Sequence, residues 1–170
     1  ASLPTNTSIF EALDAGGKRV INAHLPWGNG RVYWDAGNGT YDRIEKDALV
    51  SEYEGQWNHW AFTKDVASGE MRIYLNGNLW HSGTGKTKSM TGISTFRIGS
   101  NGSGTGAWYE GKIDDVCVWN IALDQASIRA SMRSTPNPSD PTGTTIVARY
   151  SFDEGSGTFT DNAAISGSRA

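Results

Sequence analysis

The chain has 170 residues and a formal net charge of -3, with 19% charged and 11% aromatic positions, 21 glycines and 7 tryptophans. That length suits one domain able to bury a core, and the glycine- and aromatic-rich, charge-poor balance suits a turn-rich β protein. The absence of a basic field argues against nucleic acid and anionic lipid as partners, and no run of 18 apolar residues offers a membrane-spanning helix.

A single cysteine, Cys117, rules out an internal disulfide or a thiolate zinc cage and reads as a small hydrophobe in a strand. The sequence opens at Ala1 with neither Met nor a signal peptide, which reads as a segment of a larger protein.

In chain order, Ser8–Leu13 and Lys18–Leu25 flank the turn Asp14-Ala15-Gly16-Gly17, a hairpin pattern. Gly30–Asp35 is a third strand, preceded by the turn dipeptide Asn29-Gly30. Residues 36–56 are dominated by Gly, Asn, Asp, Tyr and Glu and read as a long connecting loop. Strands follow at Trp57–Thr63 and Arg72–Leu75, and Asn76-Gly77 turns the chain into Leu79-Trp80-His81. Phe96–Ser100 and Gly111–Trp119 complete the set, and Asp124 is placed to cap one short helix near 124–133, with Ile128 and Met132 on one face.

Residues 134–145 hold three of the five prolines and read as a linker between a main body, 1–133, and a last strand-like segment, 146–170.

The ordered set Trp57, His59, Ala61, Tyr74, Asn76, Gly77, Ile98, Gly99, Gly111, Ile113, Asp114, Asp115, Val116, Ala122 and Leu123 resembles the LamG-like jelly-roll domains of the concanavalin A-like superfamily. The resemblance implies an all-β, two-sheet antiparallel sandwich. Its tryptophans at 57, 60 and 119 are then expected in the core, with His59 as a hydrogen-bonded core histidine.

The tail Tyr150–Gly157 is similar to the first strand of that family, the one expected before residue 1. Two arrangements follow. The segment folds back onto the main body or exchanges with a neighbouring chain, or it opens a second repeat.

The resemblance also implies a structural calcium ion held by Asp114, with Asp153 and Asp161 as candidate partners, because hard cations take carboxylate and carbonyl oxygens. Glycosidases of the superfamily place paired carboxylates on one strand, commonly as Glu-x-Asp-x-(x)-Glu. Here the nearest approach is Glu45-Lys46-Asp47, with Ala48, Leu49 and Val50 after it, so a catalytic role is not expected.

Sugar binding needs aromatic faces for the C–H surface of a pyranose and planar polar groups for its hydroxyls. The segment His24–Arg43 supplies both, and Trp27, Arg31, Asp35, Asp42 and Arg43 are the candidate ligand-binding residues. Trp80 and the Trp108-Tyr109 pair are further candidates for exposed aromatic surface. Arg31 and Arg43 suggest an acidic or sulfated glycan. The expectation is a non-catalytic carbohydrate-binding module of a larger extracellular or cell-surface bacterial protein. The alternative is a protein-interaction or adhesion module on the same fold.

Overall fold

The computed structural model describes residues 6–133 and 146–155. The chain divides into two compact units, 1–110 and 111–170.

The first unit is an antiparallel β-sandwich. Its larger sheet is built from β1 (Phe10–Asp14), β2 (Arg19–His24), β3 (Arg31–Ala36), β4 (Asp42–Asp47) and β8 (Ile93–Ile98), in the order β4-β3-β2-β1-β8. The smaller sheet is β5 (Trp60–Asp65), β6 (Glu70–Leu75) and β7 (Asn78–Gly83). The β6–β7 hairpin turns on Asn76-Gly77 with φ of 50° and 72°, the left-handed pair that a two-residue primed turn requires.

Alternation along the strands builds the core. Ala23, Val32, Trp34, Ala36 and Ile44 face inward from one sheet, and Met71 and Ile73 from the other. Between them Phe10 packs against Trp34 and Phe62 at centroid distances of 6.0 and 5.6 Å, while Trp60 meets Trp80 edge-on at 5.2 Å. Polar links also cross the sandwich. Trp34 Nε1 donates to the Thr63 carbonyl at 3.1 Å. Lys64, whose side chain is 0% exposed, donates to the Ala36 carbonyl at 2.7 Å and to Asp42 Oδ2 at 2.8 Å.

The structure differs from the sequence reading at several places. Residues 36–56 are not one loop, because they contain β4 and a short 3₁₀ turn, Val50–Glu52. β4 lies at the sheet edge and gives only Ile44 to the core, which left its alternation hidden among charged residues. Trp57 stands before β5 begins and is 64% exposed rather than buried. Trp80 is half-buried, packs on the core and donates to Glu52 Oε1 at 2.8 Å. His59 is half-buried, but its Nδ1 is buried without a hydrogen-bond partner, so the expected bond is not made.

In the second unit, β9 (Val116–Trp119) pairs antiparallel with β10 (Ile146–Tyr150), matching Tyr150 to Val116 and Ile146 to Trp119. β10 therefore pairs within its own chain, and exchange with a neighbouring chain has no support. Helix α1 (Gln125–Ser131) starts where Asp124 Oδ1 accepts the Ser127 N–H at 2.7 Å. Ile128 is buried, whereas Met132, at the helix end, is exposed. The expected linker 134–145 and residues 156–170 lie outside the described residues.

Burial alone would raise the Asp42 pKa, yet the hydrogen bonds from Lys64 and the Lys88 N–H outweigh it and hold the carboxyl below its ordinary value. Removing one partner of such a pair strands the other charge. Lys64→Met is therefore expected to lower Tm by on the order of 10 °C. Adding Asp42→Asn to that variant recovers part of the loss, and a double variant no more stable than the single would contradict this account.

His24 and His59 are both held below the ordinary imidazole pKa, in each case foremost by burial. The unfolded chain therefore binds more protons than the folded one below about pH 6.5, so stability is full above that value and declines as pH falls through it. Thermal melts should shift downward between pH 7.5 and 5, less steeply in His24→Gln, and a pH-independent Tm over that window would refute the assignment.

Candidate functional site

On β3 the residues that alternate with the core point to the other face of the large sheet: Arg31, Tyr33 and Asp35. Strand register then decides their neighbours. Asp35 lies opposite Asn22 on β2 and Arg43 on β4, Tyr33 opposite His24 and Glu45, and Arg31 opposite Asp47. The face becomes a lattice of ion pairs as a result.

Arg43 grips Asp35 with both arms of its guanidinium, Nε to Oδ1 at 2.6 Å and Nη2 to Oδ2 at 2.7 Å. The Asp35 side chain is 0% exposed, and Arg19 Nη1 approaches it at 3.7 Å. The Arg43 guanidinium also lies 4.6 Å from the Tyr33 ring centroid and 5.0 Å from that of Tyr41, a cation–π arrangement. Its hydrogen bond to Asp35 pushes its pKa further up. Arg31 spans two carboxylates, donating to Asp47 at 2.6 Å and to Glu45 at 2.7 Å. Arg19 meets Glu11 at 3.0 Å.

Four of the five candidate ligand residues thus belong to this face or its border. Arg31, Asp35 and Arg43 are brought together by the β3–β4 register. Trp27 lies on the turn between β2 and β3, half-buried, with its ring centroid 4.1 Å from that of His24. That turn is closed by Trp27 N–H to the Arg31 carbonyl at 2.7 Å and Gly30 N–H to the Trp27 carbonyl at 2.8 Å. Beside it Asn29 Nδ2 donates to the Tyr33 hydroxyl at 2.8 Å. Asp42 stands apart. It shares the core-facing side of β4 with Ile44, and Lys64 occupies it.

The segment before β1 ties this region to a second loop. Thr7 and Ser8 are fully buried. Thr7 Oγ1 donates to the Pro26 carbonyl at 3.1 Å, and His24 Nδ1 donates to the Thr7 carbonyl at 2.6 Å. On the other side, Ser8 N–H donates to the Ala107 carbonyl at 2.8 Å, immediately before Trp108, which is 59% exposed. Ser8 Oγ accepts from Asn22 Nδ2 at 3.1 Å.

Sequence reasoning set Glu45 and Asp47 aside as an incomplete catalytic pair and missed their pairing with Arg31, because 36–56 read as loop. The signal was present in the alternation of Arg43, Glu45 and Asp47, which matches Asp35, Tyr33 and Arg31 in reverse order. Leu49, Val50 and Trp57 were likewise missed as exposed apolar groups; they sit on the 49–58 loop, where Gln56 and Asn58 donate to the Ser51 and Glu52 carbonyls.

For the candidate metal residues, Asp114 and Asp153 are exposed and flank the same end of the β9–β10 ladder, since Val116 pairs with Tyr150. Asp114 Oδ1 accepts the Asp115 N–H at 3.0 Å. Asp161 lies outside the described residues. Among the described residues no group of three or more His, Cys, Asp and Glu is placed to hold a metal, and two carboxylates alone do not make a calcium site of six to eight oxygens. No helix among the described residues is long and apolar enough to cross a membrane.

Comparison with solved structures gives likeness of fold. A "putative carbohydrate binding protein" from Bacteroides ovatus superposes with a TM-score of 0.64 at 22% identity, over 96% of this chain and 46% of that one. The chain thus spans less than half the length of that protein. An S-layer domain-containing protein from Clostridium thermocellum matches at 19% identity over 77% of this chain and 64% of that one, with a TM-score of 0.40. No curated protein matches the sequence. The family model Laminin_G_3, described as Concanavalin A-like lectin/glucanases superfamily, matches residues 1–129. Together with the two-sheet antiparallel sandwich, that match places the chain in the concanavalin A-like lectin/glucanase superfamily.

Proposed function

We propose that the protein is a non-catalytic carbohydrate-binding module of a larger extracellular or cell-surface bacterial protein. The observation that carries this reading is Trp27, an indole left half-open on a hydrogen-bonded turn at the border of a polar, tyrosine-bearing sheet face. An aromatic face with hydroxyl- and amide-bearing neighbours is what a pyranose ring needs. Membership of a superfamily of lectins and glucanases supports it, as does the likeness to a solved protein described as a "putative carbohydrate binding protein".

The reading is non-catalytic because of where the face's acids are engaged. Glu45 and Asp47 are both taken up by Arg31, and Asp35 by Arg43. A glycosidase pair needs one carboxyl free to protonate the leaving oxygen and another free to attack or to activate water. Incubation with a polysaccharide panel is expected to release no reducing ends, and release above the buffer control would overturn this part.

An adhesion or protein-interaction module is the second reading, favoured by Leu49, Val50 and Trp57, which expose apolar surface on one loop. A glycan array separates the two. Binding to polysaccharides that survives Trp57→Ser supports the first, and silence across the array overturns it.

Calcium is a further part of the proposal: the β9–β10 register sets Asp114 and Asp153 at one ladder end, where backbone carbonyls and water would have to complete the oxygen shell. Melting in millimolar calcium against EDTA is expected to show a Tm higher by several degrees with the metal, lost in Asp114→Asn, because occupancy stabilises the folded state by mass action. Coincident curves would remove calcium from the proposal.

A further inference from the structure

We propose that Trp27 and Trp108 are the two aromatic walls of one binding site astride the Thr7–Ser8 peptide, and that its ligand is an uncharged glycan. This rests on the carbohydrate-binding reading and specifies it.

The pairing of the walls follows from one peptide unit. The carbonyl of Thr7 accepts from His24 Nδ1 at 2.6 Å, and the N–H of Ser8 donates to the Ala107 carbonyl at 2.8 Å. In a trans peptide these two groups point in opposite directions, so His24 and Ala107 stand on opposite flanks of the same short segment. The Trp27 ring lies against His24 on one flank, and Trp108 follows Ala107 on the other.

Both indoles are on fixed backbone although both lie in loops. Thr7 Oγ1 holds the Pro26 carbonyl beside Trp27, and Tyr109 N–H donates to the Gly99 carbonyl at 2.9 Å just after Trp108. Thr7 and Ser8 between them are 0% exposed, so the segment is a packed spacer and the ligand bridges the two indoles without touching it. A tryptophan 59% exposed on an anchored loop leaves a large apolar face in water with nothing of its own to cover it. The open face of Trp108 and the half-open face of Trp27, astride one packed segment, suit a ligand with apolar C–H faces along its length.

The ligand's charge follows from the surrounding ion pairs. Arg19, Arg31 and Arg43 are matched by Glu11, Asp35, Glu45 and Asp47, four carboxylates for three guanidiniums. A uronate or sulfate would have to displace a carboxylate held at 2.6–2.7 Å and would then face the released anion. The groups beside Trp27 that carry no charge are the Asn29 amide and the Tyr33 hydroxyl. The arginines that suggested an acidic glycan therefore brace the sheet face.

Affinity electrophoresis of the full chain tests this, with gels containing barley β-glucan, galactomannan, polygalacturonate or chondroitin sulfate. The wild type is expected to be retarded by a neutral polysaccharide and by neither anionic one. Trp27→Ala and Trp108→Ala should each weaken that retardation about fivefold to tenfold. Trp27→Phe and Trp108→Phe, which keep an aromatic face, should retain most of it, with thermal melts confirming that all four variants fold. The double variant Glu45→Gln/Asp47→Asn, which frees Arg31, should acquire retardation by polygalacturonate.

Neutral binding that survives either alanine substitution overturns the two-walled site while leaving the carbohydrate-binding function standing. Retardation of the wild type by an anionic polysaccharide overturns the ligand class. Silence in all four gels and across a glycan array overturns the carbohydrate-binding function itself.

Discussion

A buried ammonium group sets the geometry of the sandwich. Lys64 sits on the core-facing side of β5, after Trp60 and Phe62, where alternation calls for a third apolar residue. Its charge is met across the sandwich by a backbone carbonyl of β3 and a carboxylate of β4. An isolated ammonium in that position would cost several kcal/mol, so the two sheets are compatible with burial only in the relative placement that brings Asp42 and the Ala36 carbonyl to it. The hydrophobic contacts tolerate small displacements of sheet on sheet, whereas a pair at 2.8 Å does not. Trp34, bonded to the Thr63 carbonyl one residue away, fixes the same junction from the other side.

That placement has a consequence for the opposite face. Once β4 is held by Asp42 and Ile44 on its inner side, Arg43, Glu45 and Asp47 have only the outer side to occupy, and strand register aligns them with Asp35, Tyr33 and Arg31. The inner anchoring and the outer charge lattice are two readouts of one alternation. The outer face is rigid for that reason, since each guanidinium is held by at least one carboxylate and Asp35 is entirely covered.

Much of the sandwich was legible in the sequence because its strands and turns agree locally with the fold. Asn76-Gly77 demanded a primed turn, and Asp124 before Gln125–Ser131 offered a helix cap. β4 was illegible because a six-residue edge strand with one core side chain has almost no apolar period to detect. Trp57 was misplaced because a family pattern fixes its order in the chain but not its distance from the strand it precedes. The pairing of Arg43 with Asp35, and of Lys64 with Asp42, requires knowledge of which strands are neighbours, and no local signal carries that. Lys64 did leave a trace, as a charge interrupting the inward series Trp60, Phe62.

The double allegiance of β1 has a temporal consequence. β1 pairs on one side with β2, which follows it directly, and on the other with β8, where Phe10 meets Ile98. The first pairing is available as soon as the hairpin exists, but the second closes a loop of nearly ninety residues, and such long-range closures are slow to nucleate. A chain emerging from the ribosome carries its first hairpin with one edge unsatisfied until β8 arrives. The Thr7–Ser8 segment, clasped by Pro26 and His24 on one side and Ala107 on the other, is completed only at that point. The surface around it is thus among the last parts of the molecule to acquire its shape, and its integrity reports that the large sheet has closed.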